Sequence, residues 1–245
     1  MQSMDSITAI ILCGGLGTRL RSISGQLPKP MVSVAERPFL EYILDYLIEQ
    51  GVTKVILAVS YQKEVIIEHF GCKYKSLDIT YSVESTPLGT GGAIKQAMGH
   101  LSQPTEQLAL IINGDTLVEY DLTDMYAKST VKNADLVMSL ISIEDTSRYG
   151  RVKVCDEKIS DFEEKKSGHF GLINAGVYLF HSRLCNELPP QSSFSFERDF
   201  LDNVIHTHNV LPSISEGYFI DIGVPEDYRK AQLDFTKFNE NVGNA

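Results

Sequence analysis

Tryptophan is absent from this 245-residue chain, and cysteine occurs only four times, at Cys13, Cys72, Cys155 and Cys185. No two cysteines form a C-x-x-C pair and no histidine cluster stands beside them, which argues against a zinc site and a disulfide framework. The six histidines gather nowhere, and His206 and His208, flanking a threonine near a helix end, read as surface residues. No apolar run approaches the ~18 residues that a membrane span needs. The opening MQSMD carries no lysine or arginine and leads into a short apolar run, so no signal peptide is expected. Basic residues are the minority, 22 against 32 acidic ones, for a net charge of −10. That balance disfavours non-specific contact with nucleic acid or an anionic membrane, but leaves room for a local cationic pocket. The expectation is a reduced, cytoplasmic protein whose partners are small molecules, with homo-oligomerisation left open.

Short β-branched runs alternate with amphipathic segments through the first half. Residues 7–13, 55–59, 77–83 and 108–112 read as strands. Apolar positions 39, 40, 43, 44, 47 and 48 make a helical stripe that Gly51 ends, and residues 63–70 and 91–101 read as further helices. The order βαβαβαβ predicts a parallel sheet covered on both faces. The second half is richer in strands, at 136–143, 152–154, 174–180 and 218–222, with helices at 194–205 and 225–235. Pro225 sits where a first-turn proline belongs, with Glu226 and Asp227 behind it. The fold class expected is α/β: a Rossmann-like mixed, mainly parallel sheet flanked by helices, in a single domain, 1–245, without repeats or linkers.

The stretch ILCGGLGTRLRSISGQLPKPM, residues 11–31, concentrates glycines and cations directly after the first strand. Glycines there let backbone N–H groups approach an anion without interference from a Cβ. In open parallel sheets ligands bind beyond the carboxyl ends of the strands, so the place suits a phosphate. Two common phosphate motifs do not fit. The dinucleotide fingerprint fails at Leu20, and no lysine follows at P-loop spacing. The glycines alone also suit an ordinary turn. Arg19 and Lys29 tilt the balance, because an anionic nucleotide needs charge compensation where negative charge builds up. Pro28 and Pro30 stiffen the backbone around Lys29, which a solvated surface lysine would not require. Arg21 has no evident role.

On these residues, G-G-x-G-T-R-L followed by P-K-P, the chain resembles the sugar-1-phosphate nucleotidyltransferases, and the likeness runs on through residues 225–228. The resemblance implies a GT-A-like fold, with a nucleotide-binding half over about 1–120 and a sugar-phosphate-binding half over about 121–245. It implies that Leu12, Gly14, Gly15, Gly17, Thr18, Arg19 and Gly114 bind the nucleotide. The segment ESTPLGTGGA also suits a plain loop feeding a helix. The resemblance makes it the cradle of the base, through Glu84, Pro87, Gly89 and Thr90. An ionised carboxylate only accepts hydrogen bonds. Guanine offers two adjacent donors to it where uracil or thymine offers one ring N–H, so Glu84 favours GTP.

In IINGDTLVEYD, Asn113-Gly114 between apolar runs also suits a hairpin turn. The other reading is an acid at the end of a central strand. Magnesium binds through one or two carboxylates together with substrate phosphates, and Asp115 meets that need. The resemblance gives Asp115 this role and assigns Asp221, far along the chain, as the second Mg2+ ligand. The charge run DFEEKK reads by itself as a solvated turn. It resembles the family's E-E-K element, which implies that Glu164 accepts from sugar hydroxyls and that Lys165 holds the sugar phosphate. Lys166 stands where proline is common in the family. Tyr149, Gly150, Asn174 and Gly176 resemble the remaining sugar-binding segments.

The implied reaction is attack of a sugar 1-phosphate oxygen on the α-phosphorus of a nucleoside triphosphate. The attacking phosphate is already ionised, so no protein nucleophile is needed, and catalysis is positioning plus charge stabilisation. Arg19 would bind the departing pyrophosphate, Lys29 the α-phosphate, Asp115 and Asp221 the metal, and Lys165 the acceptor. Within the family, PLGTGGAI, IDIGVPEDYRKAQ and the short chain resemble the branch that joins GTP to a heptose 1-phosphate for bacterial surface glycans. The same chemistry on mannose 1-phosphate, or with UTP, is the alternative. A regulatory subunit without catalysis fits less well, since Arg19, Lys29, Asp115, Lys165 and Asp221 are all present. No β-helix or acyltransferase domain is expected after the 225 helix.

Overall fold

The computed structural model describes residues 4–15, 20, 25, 27–101, 107–149, 151–163 and 170–242. Strand β1, Thr8–Leu12, is a buried apolar run. A short ribbon, β2 (Ser33–Val34) and β3 (Arg37–Pro38), turns the chain into helix α1, Phe39–Glu49. Its buried stripe holds Phe39, Leu40, Ile43, Leu44 and Leu47 as the spacing predicts. Gly51 closes it at φ 79°. Its N–H bonds to the Ile48 carbonyl and that of Val52 to Leu47, at 2.9 and 3.0 Å, which is a Schellman cap. Then come β4 (Lys54–Val59), α2 (Lys63–Phe70), β5 (Lys73–Tyr74), β6 (Leu77–Val83), α3 (Gly89–Met98) and β7 (Leu108–Asn113). The second half runs through β8 (Thr116–Val118), α4 (Leu122–Thr130), β9 (Leu136–Ile143), β10 (Arg151–Cys155), β11 (Lys158–Glu163) and β12 (Gly171–His181). A π turn at Glu197–Leu201 leads into α5 (Asp202–Thr207), followed by β13 (Val210–Ser215), β14 (Phe219–Asp221) and α6 (Pro225–Val242).

Eight strands share one sheet in the order β13-β9-β12-β7-β1-β4-β6-β5. β7, β1, β4 and β6 are mutually parallel, as the βαβ order predicts. β12 enters antiparallel between β7 and β9, so strands from both halves of the chain sit in the same sheet. Successive side chains alternate between faces. Ala9 and Ile11 join Phe39, Leu44, Met125 and Phe235 on the α1, α4 and α6 side. Ile10, Ile56 and Ile111 join Ile94, Phe196 and Phe200 on the α3 and α5 side. No helix among the described residues is long and apolar enough to cross a membrane.

Several elements depart from the sequence pattern. Asn113-Gly114 does not make a hairpin: β8 turns away from β7 and pairs antiparallel with β14. The expected 194–205 helix is a π turn followed by a short α-helix, which brings Phe196 and Phe200 into a stack 5.0 Å apart. The helix expected at 91–101 begins at Gly89, where the Gly91 N–H donates to the Phe194 carbonyl. Helix α4 buries Leu122, Met125 and Ser129 and starts at Asp121, whose carboxylate accepts the Asp124 N–H. Residues 161–163 of DFEEKK are the end of β11, not a turn.

The parallel strands β1, β4, β6 and β7 all end at the same edge of the sheet, where the loops after β1, β6 and β7 meet. Helix α3 is drawn under residues 192–194, because a Cβ on Gly91 would overlap the Phe194 ring. Gly91→Ala should therefore destabilise the fold by about 1–3 kcal/mol, the usual cost of overpacking. A lower urea midpoint with unchanged slope would show it; an unchanged midpoint would mean that the ring swings clear.

Candidate active site

A cleft of about 460 Å³ opens at that edge. The loop after β1 lines it with Leu12, Cys13, Gly14 and Gly15. Glu84 and Pro87 before α3, and Gly89, Thr90 and Ala93 on it, form a second wall. Asn113, Gly114, Asp115 and Thr116 form the floor, and Lys29, Pro30 and Asp221 complete the enclosure.

Lys29 starts a single 3-10 turn held by Pro28 before it and Pro30 within it, with the Met31 N–H bonded to the Pro28 carbonyl. The stiffening expected of the two prolines is realised as this turn. It leaves the Lys29 side chain 12% exposed, with its ammonium 2.7 Å from Asp115 Oδ2.

Asp115 and Asp221 meet because β8 and β14 form a two-stranded ribbon in which Asp221 stands opposite Thr116. The Ile222 N–H also donates to the Asp115 carbonyl at 3.0 Å. Burial, and next the charge of Asp115, push the Asp221 carboxyl above the ordinary aspartate range. The Gly223 N–H, Lys29 and Arg148 pull the other way, the first by a 2.7 Å bond to Oδ1. Two carboxylates thus share one corner of the cleft with one lysine, a set of hard oxygen donors suited to a divalent cation.

Glu84 is 8% exposed, and burial raises its pKa. Oε2 accepts the Leu88 N–H at 3.0 Å, while Oε1 packs on Gly14, where a Cβ would stand 2.5 Å from it. The carboxylate therefore ties the loop before α3 to the glycine loop. Thr90 lines the cleft, yet its hydroxyl donates to Glu197 and accepts the Phe196 N–H, anchoring α3 to the π turn. Cys13 also reaches the cleft, but burial and then the charge of Asp115 keep its thiol protonated, which removes it as a nucleophile.

Of the residues expected to bind the sugar phosphate, Tyr149, Asn174 and Gly176 are described. Tyr149 packs edge-on to Phe219 at 5.7 Å. Burial, then the charge of Asp221, push its phenol up to about 12, so at neutral pH it is a hydrogen-bond donor. Arg148 lies 5.3 Å from the same ring and pairs with Asp227 of α6 at 2.6 Å. Asn174 and Gly176 lie on β12, beside the end of β7. Gly17, Thr18, Arg19, Arg21, Gly150, Glu164, Lys165 and Lys166 lie outside the described residues. Cys13, Pro30, Ala93, Asn113 and Thr116 line the cleft without having been singled out as site residues. Each adjoins a motif residue, so chain adjacency at a strand or helix end was the available signal.

The sequence profile of the family described as Nucleotidyl transferase matches residues 8–237. The chain is 44% identical to the D-glycero-alpha-D-manno-heptose 1-phosphate guanylyltransferase of Aneurinibacillus thermoaerophilus, over 94% of this chain and 99% of that protein. The enzyme of the same name from Campylobacter jejuni is 44% identical over 90% of this chain and 96% of its own length. The crystal structure of HddC from Yersinia pseudotuberculosis complexed with GMP-PN superposes with a TM-score of 0.82 at 38% identity, covering 94% of this chain and 99% of that one.

Two measurements test the geometry. A Cβ on Gly15 meets nothing within 4 Å, so Gly15→Ala should melt like the wild type while triphosphate affinity falls; unchanged affinity would remove Gly15 from the anion site. Asp221→Asn should abolish turnover yet raise the melting temperature at neutral pH. A carboxyl whose folded pKa is raised lowers stability once ionised. The gain should fade as pH drops from the raised value of the folded carboxyl to the ordinary aspartate range, and a variant less stable at neutral pH would contradict a penalty on ionising Asp221.

Proposed function

The chain belongs to the nucleotidyl transferase family, and on that premise we propose that it transfers a guanylyl group from GTP to D-glycero-α-D-manno-heptose 1-phosphate. The products are the GDP-heptose and pyrophosphate. The observation that carries this reading is near full-length similarity to two guanylyltransferases of that substrate, with a cleft of the right chemistry at the matching motifs.

The acceptor phosphate needs no base, and no ionised cysteine or paired histidine lines the described cleft. Catalysis then rests on charge and position. Lys29, rigid on its proline turn and already among the carboxylates, would meet the α-phosphate, leaving Asp115 as the nucleotide enters. Gly14 and Gly15 would bring the loop backbone to the triphosphate, with Arg19 on the departing pyrophosphate. Gly114, Leu12, Pro87, Gly89 and Thr90 would shape the nucleoside pocket, and Glu84 would read the guanine edge. On the acceptor side, Lys165 would hold the phosphate, while Glu164, Tyr149, Gly150 and Gly176 would form the sugar subsite, which Asn174 would shape from within β12.

Nucleotidyl transferases generally use a divalent metal. Asp115 and Asp221 fit one, offering only oxygen, with the charge of Asp115 felt at Asp221 although Lys29 is close by. We assign Mg2+ to this pair; bound there, it would screen the phosphate charges. The enzyme would work in the cytoplasm, on small-molecule substrates alone, and its product would supply capsule, S-layer or lipopolysaccharide synthesis.

The deciding experiment is a matrix of GTP, ATP, UTP and dTTP against heptose, mannose and glucose 1-phosphates, read by pyrophosphate release. GTP with the heptose 1-phosphate should give the highest kcat/KM. Preference for mannose 1-phosphate or for UTP would overturn the substrate assignment, and no turnover with any pair would overturn the activity. In the same assay Glu84→Gln should erode the preference for GTP over UTP; an unaltered preference would assign base reading to the backbone.

A further inference from the structure

We propose that the side-chain amide of Asn113 contacts substrate and reads a sugar hydroxyl where the nucleotide and acceptor subsites join. The inference rests on the function proposed above. Asn113 is the last residue of β7. Leu12 of β1 is its register partner on one side, and on the other the preceding residue, Ile112, pairs with Val177 of β12. It therefore stands between the glycine loop and the 174–176 stretch. Strand alternation puts it on the same face as Ile111, the α3 side, and it lines the cleft.

The neighbouring strand is built around it. The pairing of β12 with β9 breaks between Asn174 and Tyr178, and Gly176 takes φ 74°. Asn174 holds both ends of this bulge: its Oδ1 accepts the Gly176 N–H at 3.0 Å, and its Nδ2 donates to the Tyr178 hydroxyl at 2.6 Å. Gly176 is thereby set against Asn113, close enough that a Cβ would stand 2.5 Å from Asn113 Nδ2. One donor and one acceptor position of Asn174 are thus committed within its own strand. Among the described residues the Asn113 amide makes no side-chain hydrogen bond, although it is half-buried.

A neutral amide cannot compensate phosphate charge, and Lys29 already faces that need. Its adjacent donor and acceptor match a hydroxyl, which is itself both. Two hydroxyl-bearing groups come to this junction, the ribose of the triphosphate and the acceptor sugar. Asn174 becomes a positioning residue that acts on Asn113 through Gly176.

The test uses the full chain, with KM measured for each substrate at saturation of the other, and 2′-deoxy-GTP beside GTP. Loss of one hydrogen bond should raise KM for one substrate about 3- to 10-fold in Asn113→Leu and in Asn113→Ala, with melting temperature and the other KM little changed. A rise for GTP with lost discrimination against 2′-deoxy-GTP identifies the ribose; a rise for the heptose 1-phosphate identifies the acceptor. Asn174→Leu should reproduce the shift, and Asn174→Asp, which keeps the acceptor for the Gly176 N–H, should restore most of it. Wild-type turnover with both KM values unchanged in the Asn113 variants overturns the inference alone. A wild-type chain without turnover on any pair overturns the function reading, and this inference with it.

Discussion

Two aspartates held near enough to feel one another's charge are the constraint around which this cleft is organised. Burying Asp221 beside Asp115 opposes its ionisation, and a pair of like charges persists in a fold only where surrounding structure holds it. Here the β8–β14 ribbon does so, with backbone hydrogen bonds running on through Asp115 and Ile222. Lys29 meets the excess charge from a turn whose prolines leave its backbone little freedom. Burial and the neighbouring charge that oppose ionisation of Asp221 are the same features by which this corner fits the cation proposed above.

The other cleft walls are held by side chains that bridge neighbouring elements. Glu84 reaches across to pack on Gly14, coupling the loop after β6 to the loop after β1. Thr90 couples α3 to the π turn. On the far side Asn174 shapes the β12 bulge that fits Gly176 against Asn113. In each case a side chain near the cleft spends a hydrogen bond on the scaffold and so fixes the shape of the wall.

Most of the first half was legible from residue order, because each strand there is a short β-branched run and each helix an amphipathic stripe. The α2 helix at Lys63–Phe70 and the β6 strand at Leu77–Val83 coincide with the periodic pattern. Elements that depend on distant partners were not. The tiny β8 has too few residues to show a period, the edge strand β13 is interrupted by Pro212, and each exists because another strand offers it a register. Helix α4, whose exposed face is polar, begins at a side-chain cap that a hydrophobicity pattern does not weigh. Gly91 of α3 makes room for the Phe194 ring, a packing demand set by a residue remote along the chain.

By itself the sequence determined the parallel α/β core, the glycine loop after the first strand, the lysine between prolines and the two acidic motifs. Local periodicity and residue chemistry carry that much. Only the tertiary structure decided that Asp115 and Asp221 meet, that Lys29 stands with them in one cleft, and that Asn113 lies against the β12 bulge. Those facts follow from β-pairing between segments remote along the chain, and such pairing is chosen by backbone register and the packing of whole faces, which no local window of residues contains.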